Sequence, residues 1–145
     1  NVRPRPLSPA QIQIVQNPIR LTLTRLPLMT PHQLWLTRLQ PALGQRALNY
    51  ARSKLGLPYR WGASGPSSFD CSGLTMMAWR AGGKSLPHYS AAQYSASTPI
   101  SRAALRPGDL VFWGSSPRSI HHVALYIGNG QILHAPRTGQ PVRVD

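Results

Sequence analysis

Residues 69–74 read FDCSGL, which sets Cys71, the only cysteine of this 145-residue chain, directly after an aspartate and before an apolar run. Aspartate suits the start of a helix, and Leu74, Met77, Ala78 and Ala81 then recur at helical spacing until the glycine pair Gly82 and Gly83. The spacing predicts a helix beginning near Asp70, with Cys71 in its first turn. A thiol is nucleophilic only as thiolate, and a helix N-terminus favours that form through its dipole and unpaired amides. Asp70 works against it, so an imidazole is needed nearby to take the proton.

Upstream, Leu43, Ala47, Tyr50, Ala51 and Leu55 predict a second helix that starts at Pro41 and is ended by Gly56 and Pro58. Tyr59, Arg60, Trp61 and Gly62 lead from it into a loop rich in Gly, Ser and Pro. Downstream, a short helix is expected over residues 90–96. Strands are expected over 110–113, 122–127 and 131–134, with Gly128, Asn129 and Gly130 as a hairpin signal between the last two. Residues 141–145 read as one more strand that ends abruptly, so a C-terminal cut is expected. Helices followed by antiparallel strands indicate an α+β domain over residues 41–145.

Residues 1–40 differ in composition, with six prolines and no acidic residue. They read as a proline-rich basic arm or linker remnant, either packing against the domain or lying over its groove. Within them, Ile19, Leu21 and Leu23 alternate with Arg20, Thr22 and Thr24 as in a half-buried strand, and Thr30 with Pro31 starts a short helix through Leu39. No export signal or membrane span is legible, so the chain reads as a mature or trimmed product.

Sixteen Lys and Arg face only Asp70, Asp109 and Asp145, a formal net charge of +13. Such a field favours encounter with polyanions, but the basic residues are spread along the chain and no nucleic-acid motif accompanies them, so no specific nucleic acid is expected. A single cysteine excludes an internal disulfide and a zinc site built from several thiolates. Asp109, in a Pro-Gly-Asp turn before a strand, reads as a turn former.

Along the strand from His122, residues 122, 124 and 126 share one face and Val123, Leu125 and Ile127 the other. His122 is therefore expected opposite the apolar stripe, facing the Cys71 helix, with His121 pointing away as a surface residue. His134, just beyond the hairpin, can pair across to His122. A Cys, a His and a third polar residue, on a helix followed by strands, follow the logic of a papain-type site.

Five ordered stretches carry a closer resemblance: PYRWG at 58–62, FDCSGL at 69–74, RPGDLVFW at 106–113, HVALYIG at 122–128 and ILHAPRTG at 132–139. In this order the chain resembles the NlpC family of cell-wall cysteine peptidases. Ala63 and Ala124 depart from it, standing where glycine is common. The resemblance implies a papain-like fold, with the nucleophile at a helix start packed on an antiparallel sheet. It places Cys71 as nucleophile, His122 as general base and His134 as the residue that holds the imidazole. Tyr59 lines the site and assists the oxyanion, Asp70 and Ser72 help receive the stem peptide and its free amino group, and Ser90 lines the same groove. Simpler readings stand beside these: Tyr59 and Trp61 as core aromatics, Asp70 as a helix-start residue only, Ser72 as solvated.

What the resemblance implies is a secreted thiol protease of the cell wall or periplasm, hydrolysing peptidoglycan stem peptides between D-glutamate and a diamino acid, without cofactor or metal. Anionic wall polymers are further expected partners of the basic chain. A peptidoglycan-binding module without chemistry, or an acyltransferase or amidase on the same fold, remain the alternatives.

Overall fold

Two neighbouring strands, β3 (Leu110–Gly114) and β4 (Ile120–Gly128), form the centre of the sheet and carry its most apolar sequence. The computed structural model describes residues 12–18 and 31–145. Among them, β1 (Ile12–Asn17), β2 (Thr98–Pro99), β5 (Gln131–His134) and β6 (Arg143–Val144) complete an antiparallel sheet of order β2-β1-β3-β4-β5-β6. The register sets Phe112 opposite Val123 and Leu125 opposite Leu133. Because side chains alternate along a strand, these residues share one face.

Among the described residues three α-helices accompany the sheet: α1 (Pro31–Arg52), α2 (Cys71–Ala81) and α3 (Ser90–Ser95). Ala47, Leu48 and Ala51 of α1 meet Leu74, Ala78 and Trp79 of α2 over Phe112, Val123, Leu125 and Leu133, all buried in one core. Each large apolar side chain removed from water there contributes about 1.5–3 kcal/mol. Trp79 also donates from Nε1 to the Gly108 carbonyl at 2.9 Å, tying α2 to the turn before β3. On the other face of the sheet, Val111, Trp113 and Ala124 form a smaller cluster with Tyr126 and Ile132. The architecture is α+β, as the order of elements suggested.

Two close approaches explain glycines in the motifs. A Cβ on Gly73 would lie 2.0 Å from the Ala63 carbonyl oxygen, so only glycine lets the first turn of α2 rest on the loop after PYRWG. Gly108 has φ of +95° and would place a Cβ 2.6 Å from Gly44 Cα, so the RPGD turn packs backbone to backbone against α1.

Several boundaries differ from expectation. The short helix to Leu39 and the helix from Pro41 are one helix, α1, with Pro41 inside it. Proline fixes φ near the helical value, so the chain passes through it while losing one hydrogen bond. α1 therefore crosses the boundary expected at residue 40. It ends at Arg52 rather than Leu55, which is 42% exposed and has no core to join. β1 was not foreseen: IQIVQN alternates too briefly to stand out, and it is a strand because it pairs with β3, Ile14 opposite Phe112. The strand expected over residues 19–24 lies outside the described residues.

Candidate active site

The helix side of the site is organised by Asp70. It is the N-cap of α2, its Oδ1 accepting the Gly73 amide at 2.7 Å, while Oδ2 accepts the Gly62 amide at 2.8 Å. His88 Nε2 adds a third contact to Oδ1 at 3.0 Å. One carboxylate thus joins PYRWG, the helix start and the loop before α3. The capping expected of Asp70 is present, and it occupies much of the carboxylate's accepting capacity. Ser72, which one reading left solvated, is buried, and its hydroxyl donates to the His88 carbonyl. Buried Gln93 of α3 donates to the Ser72 carbonyl and the Pro87 carbonyl, each at 2.8 Å, and accepts from Thr75 Oγ1 at 2.6 Å. His88 and Gln93 were not singled out from the sequence, because nothing at their spacing distinguishes them from ordinary loop and helix polar residues.

Cys71 is the first residue of α2 and is half-buried. The amides of Val123, Ser72 and Cys71 itself favour its thiolate, but burial and then the Asp70 carboxylate outweigh them and push the thiol above its ordinary range. The sequence suggested that the helix start would lower it. The structure corrects this: desolvation and an adjacent carboxylate exceed the dipole of one helix.

The strand side is organised by His122. Its Nε2 lies 2.8 Å from His134 Nδ1 across the β4–β5 pair, and its ring packs 5.2 Å from that of Trp113. His134 is buried, with Nε2 2.7 Å from Asp145 Oδ2. Asp145 Oδ1 in turn accepts from Arg143 at 2.6 Å. Burial foremost, then His134 and His121, lower His122 to about 3. His134 is also lowered by burial, with Asp145 pulling it back up.

These positions revise two sequence expectations. α2 packs on the Val123 and Leu125 face of β4, not on the His122 face, and Cys71 meets the strand at the Val123 amide, one residue from His122. His122 is hydrogen-bonded to His134, with no hydrogen bond to Cys71 among the described residues. Catalytic contacts of this kind commonly tighten only when substrate is bound. His121 is exposed, as expected, yet it does not point away from the site. A bulge sets Trp113 opposite His122 and Gly114 opposite Ile120, breaking the alternation and turning His121 into the groove.

Between the two sides lies a cavity of about 580 Å³ whose lining includes Tyr59, Asp70, Cys71, Ser72, Ser90 and His121. All four residues assigned to substrate or oxyanion therefore share it with Cys71, while His122 and His134 are not among the residues that line it. Tyr59 is half-buried against the core, and burial, then Cys71, then Asp70 raise its hydroxyl, which keeps its proton. Trp61, one candidate core aromatic, is instead 81% exposed at the rim, joined there by Tyr89 at 72%. Trp61 is therefore no part of the core. Asp109 is a turn former: it is buried, and its Oδ2 accepts the Arg106 amide at 2.8 Å.

The chain is similar to proteins already known. Residues 56–145 match the model of the NlpC/P60 family. A probable endopeptidase of Corynebacterium glutamicum is 43% identical over 99 residues, covering 68% of this chain and 46% of the relative. The peptidoglycan endopeptidase RipA of Mycobacterium tuberculosis is 35% identical over 164 residues, covering 95% of this chain and 34% of that protein. This chain therefore spans less than half the length of either. Among solved structures, the NlpC/p60 domain of the peptidoglycan hydrolase SagA superposes with a TM-score of 0.65 at 41% identity, over 70% of this chain and 87% of that one. With most of its length matched, the chain belongs to the NlpC/P60 family of cysteine peptidases.

Proposed function

We propose that this chain is a peptidoglycan endopeptidase that opens a stem-peptide amide bond through Cys71, with His122 as base and His134 as its orienting partner. The observation that carries the reading is the meeting of Cys71, at a helix start in the groove, with the Val123 amide, one residue from a His122 already bonded to His134. A raised thiol and a lowered imidazole make the resting pair neutral, so the reaction begins by general-base transfer rather than from a preformed ion pair. As Sγ attacks the carbonyl carbon, the S–H proton moves to His122, which then protonates the leaving amine. Water, deprotonated by the same ring, releases the acyl group. The Cys71 amide and the protonated Tyr59 hydroxyl are the donors assigned to the oxyanion.

The bond proposed is that between D-glutamate and a diamino acid, the assignment carried by the family resemblance. Asp70 and Ser72 in the groove floor suit the stem peptide's free amino group. The +13 charge suits retention on anionic wall polymers outside the cell. Among the described residues no helix is long and apolar enough to cross a membrane. Residues 1–40 are assigned as an extension of the peptidase domain, of which residues 12–17 pair with β3. The test is incubation with purified peptidoglycan and a defined stem peptide, with fragments identified by mass. Cleavage between D-glutamate and the diamino acid supports the reading, and tight binding without cleavage replaces it with a binding module.

A further inference from the structure

Beyond Cys71, His122 and His134, one side chain has a position that neither the motifs nor the family resemblance account for. Asp145 is held by two backbone bonds to Ile132, each at 2.9 Å, and its side chain is only 10% exposed. Its two oxygens face different partners: Oδ2 lies 2.7 Å from His134 Nε2, and Oδ1 accepts from Arg143 at 2.6 Å. Arg143 is itself held through Gln140 at 3.2 Å. In a chain with three acidic residues, one is thus placed behind the orienting histidine.

The consequence follows from donor and acceptor rules. An ionised carboxylate only accepts, so His134 Nε2 must carry the hydrogen. In a neutral ring the other nitrogen, Nδ1, is then an acceptor, and the 2.8 Å contact obliges His122 to donate from Nε2. His122 Nδ1 is left with its lone pair, the state a general base requires. We propose that Asp145 is a positioning residue, acting through His134 to fix the tautomer of His122 so that Nδ1 is free to accept the Cys71 proton. This rests on the function proposed above for Cys71 and His122. When S–H breaks and Nδ1–H forms, the positive charge on His122 is met by a hydrogen-bonded line that ends in the Asp145 carboxylate. The titratable neighbours that act on this line are His121 at one end and Arg143 at the other.

Asparagine at 145 gives the proposal a sharp test. Arg143 only donates, so it draws the amide oxygen, and the amide NH₂ turns to His134. His134 Nε2 must then accept, Nδ1 donates to His122 Nε2, and the hydrogen of His122 moves to Nδ1, the wrong nitrogen. Asp145→Asn is expected to lower kcat on the order of 10²-fold or more with little change in KM. Asp145→Ala, which leaves the tautomer unforced, should lose less. A purely structural role predicts the reverse order, since asparagine keeps the shape and alanine does not.

The experiment uses the 145-residue chain and both variants: kinetics on a defined stem peptide, together with ring ¹⁵N–¹H correlation NMR of His122 and His134 at pH 7. Both rings protonated at Nε2 in the parent, and the His122 proton on Nδ1 in Asp145→Asn, support the proposal. A parent His122 protonated at Nδ1, or an Asp145→Asn protein less impaired than Asp145→Ala, overturns it. The tautomer measurement needs no turnover. A parent with the stated tautomers that cleaves no stem peptide therefore refutes the proposed function while leaving the tautomer assignment standing.

Discussion

The helix side and the strand side of the groove each hold one of the chain's three aspartates, with opposite electrical results. Asp70 caps α2 beside Cys71 and, after burial, is the main charge opposing the thiolate. Asp145 lies behind His134 and supports the protonated form of that ring. The same residue type restrains the proposed nucleophile on one side and steadies the proposed base on the other. What separates them is the partner each carboxylate faces. Asp70 meets two amides and the His88 ring, all of which build the groove, whereas Asp145 meets the one ring that is bonded to the proposed base.

The largest expected effect separates two adjacent histidines on the strand side. His122→Ala should lower kcat/KM by about 10²–10⁴-fold, the usual worth of a general base, while His121→Ala, at the exposed groove edge, should stay within about tenfold. Comparable losses from both would make the bulge, not the His122–His134 pair, the centre of the strand side.

Next in size is acid stability. His122 has its folded pKa lowered from 6.5 to about 3, so the unfolded chain binds its proton first as pH falls. Stability should be fully present above pH 6.5 and decline toward pH 3, by at most about 1.4 kcal/mol per pH unit from this group. Thermal melts from pH 7 to pH 4 check this, and His122→Gln should flatten the decline. The same shift sets the acid limb of kcat/KM below the ordinary imidazole range.

On the helix side, Asp70→Asn should cost about 1–3 kcal/mol in denaturant unfolding. Both carboxylate oxygens accept backbone amides, and the asparagine NH₂ would face one of those donors unpaired. Removing the charge should at the same time lower the Cys71 pKa, read from the pH dependence of thiol alkylation. A stable variant with an unchanged thiol would break the contrast between the two aspartates. Smallest is Trp61→Ala: at 81% exposure it should change stability by less than about 0.5 kcal/mol while raising KM for peptidoglycan fragments.

Much of this was legible in the sequence where local signals and tertiary packing agree. Asp70 and the glycine pair bound α2 because capping is a local interaction. The hairpin at residues 128–130 placed His134 opposite β4 because a tight turn sets register. His121 was misplaced because alternation assumes an unbroken strand, whereas His121 is the extra residue of a bulge in β4 that shows only in its pairing with Trp113 and Gly114 of β3. The raised thiol was not legible either, since burial depends on what covers Cys71. Asp145 could be counted but not placed, because its value lies in β6 pairing with β5.

The role of Cys71 is tested most directly by stem-peptide cleavage with the parent and Cys71→Ala proteins at equal concentration, with products identified by mass. Cleavage between D-glutamate and the diamino acid is expected from the parent, and none from a folded Cys71→Ala protein that still binds the peptide. Equal cleavage by both would contradict that role.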